Sequence, residues 1–255
     1  MTHVLITNDD GIDSPGLWEL ANTAHSLGLD VTVAAPSIQY SGASASILGA
    51  HEDGSIAFTE RELPALPGIR CFAVDAAPAL VTLVAAHGAF GAPPDLVLSG
   101  INRGANVGHI ILHSGTVGAA LTAGVNHARA LAVSLDVGID PLAEHWGAAA
   151  PHVRALVPRL LESAAGTVLN LNVPNTESVT ILRDADLATF GIVQTTMTDG
   201  RDAEGRGVRL SVAEPPGDQD AGSDAALLAE GFATVTSLHS VSEAPVQGFA
   251  PEVNT

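Results

Sequence analysis

The chain contains no lysine; all ten of its basic residues are arginine. A P-loop lysine, a Schiff-base lysine and a lysine general base are therefore excluded. Cysteine occurs once, at Cys71, so no disulfide can close within the chain, which suits a reducing cytosol. Aromatic residues are scarce, at 4%, and do not interleave with basic residues as on a nucleic-acid platform. Trp18, Phe90 and Trp146 are expected to pack. There is no run of 18 or more apolar residues, hence no transmembrane helix, and the first residues lack the basic and apolar regions of a secretory signal. The expectation is a cytoplasmic protein without membrane contact. Acidic residues outnumber basic ones 28 to 10, a net charge of -18. That excess argues against a nucleic-acid polymer as partner. A small anionic substrate stays open, because a bound metal can reverse the local field.

What is present is enough for one sizeable core, with or without an appendage: 255 residues, 46% hydrophobic, mean hydropathy +0.30. The most informative stretch is Val4-Leu5-Ile6-Thr7-Asn8-Asp9-Asp10-Gly11. Val4 to Ile6 read as a buried strand. Two adjacent carboxylates at its end repel each other and resist desolvation unless something positive joins them. Gly11 permits a sharp turn, so the two need not point to opposite faces.

Ser14 and Pro15 then open a helix as N-cap and first residue, with apolar residues at helical spacing up to Leu27 and a stop at Gly28. Asp30 to Pro36 is a second strand, which completes a right-handed βαβ unit. A small-residue loop, Ser41 to Ser46, follows it. Residues 51–72 read as irregular with short strands, and Pro78 to Ala86 as a helix. Asp95 to Ser99 is a strand ending at Gly100-Ile101-Asn102. A glycine-rich loop leads to a helix from Gly115 to about His127, and Leu131 to Leu135 is the next strand. Asp140-Pro141 opens a helical region reaching Ala165, with breaks expected at Pro151 and Pro158. Val168 to Val173 and Val179 to Leu182 are further strands.

From Arg183 the texture becomes β-rich, with one short helix, Ser223 to Glu230, and a final strand, Phe232 to Leu238. The expected class is α/β: a Rossmann-like, mostly parallel sheet with helices on both faces, plus a β-rich C-terminal extension. Residues 1–182 form the expected core carrying the site. Residues 183–255 form the extension, read as pairing with another subunit.

In such sheets ligands bind at the carboxyl ends of the strands. Asp9, Asp10, Ser41 and Asn102 all follow predicted strand ends, and all offer hard oxygen donors. That set suits Mg²⁺, Mn²⁺ or Ca²⁺ rather than a thiolate- or imidazole-bound zinc ion. His109 and His113 are four apart, but their glycine-rich setting does not favour a zinc helix. The spacing in Gly100-Ile101-Asn102-Arg103-Gly104-Ala105-Asn106-Val107-Gly108 is not a dinucleotide fingerprint. It allows backbone to approach a ligand closely. Ser114 is placed to cap the next helix, whose exposed amides could bind a phosphate. No G-x-S-x-G or H-E-x-x-H motif occurs.

Taken in order, Thr7-Asn8-Asp9-Asp10-Gly11, Ala35-Pro36, Ser41-Gly42, Ser99 to Asn106 and Ser114-Gly115-Thr116-Val117-Gly118-Ala119-Ala120 resemble the SurE family of survival-protein nucleotidases and phosphatases. Leu169-Asn170-Leu171-Asn172-Val173-Pro174 and Ser223-Asp224 to Glu230-Gly231 also resemble it.

The resemblance implies a metal-dependent phosphomonoesterase acting on nucleoside monophosphates, a 5′/3′-nucleotidase, with a β-rich part used in assembly. It implies one Mg²⁺ or Mn²⁺ per subunit, with Ca²⁺ able to replace it in a crystal, on Asp9, Asp10, Ser41 and Asn102. The phosphate or substrate would meet Asn8, Gly42, Asn106, Ser114, Gly115 and Thr116. Either Asp9 or Asp10 would orient the attacking water, and a homodimer or homotetramer is expected.

The chain departs from the family at Ala76, Ala77 and Leu80, where Gly, Thr and Asp are usual. It departs again at His113 for Tyr, at Thr122 for Glu, at Ala45-Ser46 for His-Ser, and near 206–210, where aromatics are missing. Two alternatives accompany the nucleotidase: a phosphatase specialised for one phosphorylated metabolite, and a non-catalytic nucleotide- or metal-binding protein.

Overall fold

The computed structural model describes residues 1–49, 54–138, 141–189, 198–202, 205–209 and 220–243, with backbone alone for 198–202 and 205–209. The apolar run Val4-Leu5-Ile6 is the centre of β1 (His3–Thr7), and all three side chains are buried. Helix α1 (Pro15–Ser26) and strand β2 (Asp30–Pro36) follow, and β2 pairs parallel to β1 as a βαβ crossover requires. Ser14 occupies the N-cap position, although its side chain makes no capping bond. The next elements are β3 (Phe58–Arg61), β4 (Arg70–Val74), α2 (Pro78–Ala86) and β5 (Leu96–Arg103). After them come α3 (Gly115–Val125), β6 (Arg129–Asp136), α4 (Ala150–Glu162), β7 (Val168–Pro174), β8 (Leu182–Asp184), the hairpin β9 (Thr198–Asp202) and β10 (Gly205–Arg209), α5 (Asp224–Ala229) and β11 (Ala233–Leu238).

Nine strands form one sheet in the order β3-β4-β2-β1-β5-β6-β7-β11-β8. From β4 through β7 every pairing is parallel, while β3 and β11 run antiparallel to β4 and β7. The order reverses between β2 and β5, on either side of β1, which makes that point the topological switch. Alternate side chains feed two cores. Val4, Ile6, Leu98 and Leu131 face α1 and α4, with Leu17, Leu20, Val153 and Leu160 packed against them. Leu5, Val97 and Ala132 face α2 and α3, with Val81, Val117 and Ala120. Helices therefore cover both faces, as the alternating pattern predicts. Phe90 joins a ring cluster with Phe58 and Phe72, and Trp18 and Trp146 pack against the α1/α4 core. No described helix is long and apolar enough to cross a membrane.

Several boundaries differ from the sequence reading. The region expected to break at Pro151 and Pro158 is one helix, α4, with Pro151 in its first turn and Pro158 inside it. Pro158 lies on the solvent face, so the backbone carbonyl it leaves without a helix partner faces water. The strand expected at Val179 to Leu182 is displaced to Leu182–Asp184, beside β11. Strand β5 runs on through Gly100 to Arg103, with a register shift against β6 between Ser99 and Asn102. Strands β8 and β11 extend the main sheet, whereas β9 and β10 pair only with each other among the described residues. The positions near 206–210 carry no described side chains, and residues 190–197 and 210–219 lie outside the described part.

Candidate metal and phosphate site

The site is built at the carboxyl ends of β1 and β5. After β1 the chain turns at Gly11, whose φ is +100°, a conformation suited to glycine. The Asn8 side chain closes that turn on both sides: its Oδ1 accepts from the Gly11 N–H at 3.1 Å and its Nδ2 donates to the Gly11 carbonyl at 3.0 Å. Asn8 is fully buried and both ends of its amide are engaged, so it shapes the turn that presents Asp9 and Asp10.

The two carboxylates are held from different sides. Asp9 is buried, and its Oδ1 accepts from the Thr116 hydroxyl at 2.6 Å. Asp10 is half-buried; its Oδ2 accepts from the Arg103 N–H at 3.1 Å and its Oδ1 from Gln39 Nε2 at 3.4 Å. Gln39 Nε2 also donates to Ser41 Oγ at 2.9 Å, so one amide links Asp10 to the exposed Ser41. Asn102 is the residue before Arg103. Its Nδ2 donates to the Gly104 carbonyl at 2.8 Å, which leaves Oδ1 as the acceptor end. Asp10 and Ser41 are thus connected through Gln39, and Asp10 is tied to the end of β5 next to Asn102, while Asp9 is held by α3. Gly42, with φ +77°, is exposed beside Ser41.

Neither carboxylate forms an ion pair with a described side chain. Burial pushes the Asp9 carboxyl above the usual carboxylate range, against the Thr116 hydroxyl and the amides of Asp9, Thr116 and Gly115. Asp10 is pushed up to about 6, first by burial and then by the Asp9 charge, against the amide and the charge of Arg103. Such a pair fits a divalent cation, and every donor around it is a hard oxygen.

Helix α3 begins beside this pair. Ser114 caps it, its Oγ accepting from the Val117 N–H at 3.1 Å. The amides of Gly115 and Thr116 belong to the first turn, which has no intrahelical acceptors. Gly115 lies against Asp9: a Cβ there would stand 2.8 Å from both the Cβ and Oδ2 of Asp9. Gly118 lies closer still to the Ser44 carbonyl, 2.2 Å from a Cβ built there, which fixes the Ser41 loop against α3.

Asn106 is held by a buried network whose other members lie on β6 and β7. Asn172 accepts from the Asn106 N–H at 2.7 Å and donates to its carbonyl at 2.8 Å. Asn170 donates to the same carbonyl at 2.8 Å, and Asn106 Nδ2 donates to Ser134 Oγ at 2.8 Å. Two residues on, the Gly108 N–H donates to Asp224 at 2.8 Å; this buried carboxylate also accepts from the Ala188 and Ala225 amides. The available signal was two asparagines on one face of an otherwise apolar strand, Asn170 and Asn172. Gln39 gave none.

The positions that depart from the family lie around α2 and α3 and in the loops beside them. Ala76, Ala77 and Leu80 are buried on the α2 side, Thr122 Oγ1 bonds the Gly118 carbonyl at 2.8 Å, and His113 and Ala45 are exposed. His109 and His113 lie on a 3₁₀ turn, Gly108–His113, and no cluster of three or more His, Cys, Asp or Glu side chains forms a metal site among the described residues. Surface clefts of about 800 and 910 Å³ lie elsewhere and include none of the site residues.

Residues 4–197 match the family described as survival protein SurE. A protein of Herpetosiphon aurantiacus named 5′-nucleotidase SurE is 35% identical over 243 residues, covering 93% of this chain and 92% of its own. A 5′-nucleotidase SurE of Methanopyrus kandleri is 39% identical over 179 residues, covering 68% of this chain and 66% of its own. The crystal structure of the SurE protein from Aquifex aeolicus matches with a TM-score of 0.75 at 26% identity, over 94% of each chain. On both sequence and structure, the chain belongs to the SurE family.

Proposed function

We propose that this chain is a divalent-metal-dependent phosphomonoesterase that removes phosphate from nucleoside monophosphates, the activity that the name of its relatives carries. The observation that carries the reading is the Asp9–Asp10 pair, two neighbouring carboxylates with raised proton affinity and no ion-pair partner among the described side chains.

Asp9, Asp10, Ser41 and Asn102 would hold one Mg²⁺ or Mn²⁺. When bound, that ion would offset the charge of the carboxylates and of the phosphoryl group during transfer. The Ser114 hydroxyl and the Gly115 and Thr116 amides would hold phosphate oxygens, with Gly42 and Asn106 lining the approach. Asp9 is the buried anchor. Asp10 is the half-exposed member, and its Oδ1 is the atom available to orient a water in line with the leaving alkoxide.

The test is phosphate release from a panel of nucleoside monophosphates with and without EDTA. Release that EDTA abolishes and Mn²⁺ or Mg²⁺ restores is expected. No release from any ester with either metal would overturn the reading. The departures at Leu80 and His113 favour a second reading of the substrate, a non-nucleotide phosphorylated metabolite. Faster release from such an ester would select it.

The hairpin β9–β10, which pairs only with itself among the described residues, supports a role for the part after residue 183 in contacts between copies, as a homodimer or homotetramer. The lone cysteine supports a cytoplasmic location.

A further inference from the structure

The site has two flanks. Asp9 is tied through Thr116 to α3, on the α2/α3 side of the sheet. Asp10 is tied through the Arg103 N–H to the end of β5. The Arg103 side chain runs to the opposite side. Its Nε donates to Glu144, two residues before Trp146, whose ring lies against Gly16 of α1. With the scissile phosphate on α3, the Arg103 flank is left to the alcohol part of the ester.

The charges on that flank are unusual for this chain. It carries -18 overall and no lysine. Of the other arginines in described ion pairs, Arg70 of β4 bonds Glu60, and Arg61 of β3 bonds Asp13, on the turn that leads into α1. Arg103 therefore places a cation where the rest of the molecule would repel an anion. Its pair with Glu144 is open to water, the two side chains being 50% and 31% exposed. Solvated pairs of this kind are weakly held. The bond to Glu144 uses only Nε, so both Nη groups keep their N–H donors for an incoming anion.

We propose that Arg103 recognises a second anionic group on the alcohol part of the substrate and that Glu144 sets how strongly it does so. The proposal rests on the phosphomonoesterase reading above. The favoured substrate class is a phosphate ester whose alcohol carries its own phosphate or carboxylate, rather than an uncharged alcohol. Glu144 competes for the guanidinium, so it lowers the preference without abolishing it.

The experiment compares phosphate release from adenosine 3′,5′-bisphosphate and from 5′-AMP, which share base and sugar, in the full-length protein with Mn²⁺. The readout is the ratio of the two kcat/KM values. The wild type is expected to favour the bisphosphate. Arg103→Gln should lower the ratio about tenfold, chiefly through KM; Arg103→Lys should retain part of it, and Glu144→Gln should raise it. The wild-type ratio should shrink as salt is raised, because the contact is solvated. A ratio unchanged in Arg103→Gln and Glu144→Gln, with phosphate still released, overturns the role of Arg103 alone. No release from either ester by the wild type removes the phosphomonoesterase reading beneath it.

Discussion

Replacing Asp10 by Asn should make the metal-free protein more stable while abolishing its response to metal. Asp10 is pushed from its ordinary value of 3.8 up to about 6, by burial and by its neighbour Asp9. At 1.36 kcal/mol per pH unit the displacement is worth roughly 3 kcal/mol. Solvent reaches part of Asp10, so on the order of 1–2 kcal/mol is the expected effect after screening. The sign follows from linkage. A carboxyl whose folded-state pKa is raised binds its proton more tightly when folded. Its favourable contribution is complete below about pH 4 and is lost as pH rises through 6. At pH 8 the metal-free wild type therefore carries the whole penalty of an ionised Asp10, and the Asn variant carries none.

An asparagine can still accept from the Arg103 N–H, and Gln39 can turn its amide to meet the new NH₂. Thermal unfolding in EDTA at pH 8 should place Asp10→Asn above wild type by about 2–6 °C, and the two should converge near pH 4. Mn²⁺ should raise the wild-type midpoint and leave the variant nearly unmoved. A variant less stable than wild type at pH 8, with no convergence in acid, would refute the claim that the pair is electrostatically unbalanced, and with it the argument for the ion.

Three further outcomes follow from the same geometry. Gly115→Ala places a Cβ 2.8 Å from Asp9 Oδ2, so Asp9 must move; phosphate release should fall on the order of a hundredfold, and circular dichroism should show an intact fold. Asn172→Ala removes a fully buried side chain and both of its bonds to the Asn106 backbone; urea unfolding should show a loss of about 2–4 kcal/mol, and KM should rise. Stripping the metal with EDTA should reduce release to background, and titration back with Mn²⁺ or Mg²⁺ should restore it at about one ion per chain by calorimetry.

The fold was legible in the sequence wherever burial and periodicity acted together. Val4 to Ile6 is a continuous apolar run and Leu131 to Leu135 an apolar run broken only by Ser134; both are buried on both faces, and they became central parallel strands. Helix α1 was legible from Ser14, Pro15 and the spacing of Leu17, Leu20 and Ala24. Tertiary context overrode local signals elsewhere. Pro158 reads as a breaker until its carbonyl partner is known to face water. Val179 to Leu182 reads as strand, yet the short edge strand forms at Leu182–Asp184, where β11 offers its backbone. At the site, Asp9 and Asp10 were legible because adjacent carboxylates after a strand demand an explanation. Gln39 was not, because a lone Gln in a polar segment carries no pattern, and Asp224 stands in a segment that resembles the family without its partners being legible. Only the fold brings Gly108 to a carboxylate 116 residues away.

Polar residues below the site accompany the close approach of α3 to the two carboxylates. On the α2/α3 face the strands begin apolar, with Leu5, Val97 and Ala132, and turn polar one step later, at Thr7, Ser99 and Ser134. Register places Thr7 beside Ser99 and Ala132 beside Asn170, with Ser134 beside Asn172 one step further along. Over this row α3 presents small residues: Gly115 on Asp9, Gly118 on the Ser44 carbonyl, Gly124 on Val168. Larger side chains would lift the helix and take its first amides out of reach of the sheet edge. The small residues of α3 and the polar row beneath it therefore belong to one arrangement. Glycine brings the positive end of the helix down to the strand ends, and Ser134, Asn170 and Asn172 supply polar partners to Asn106, where an apolar lining would leave the backbone of its loop buried and unbonded.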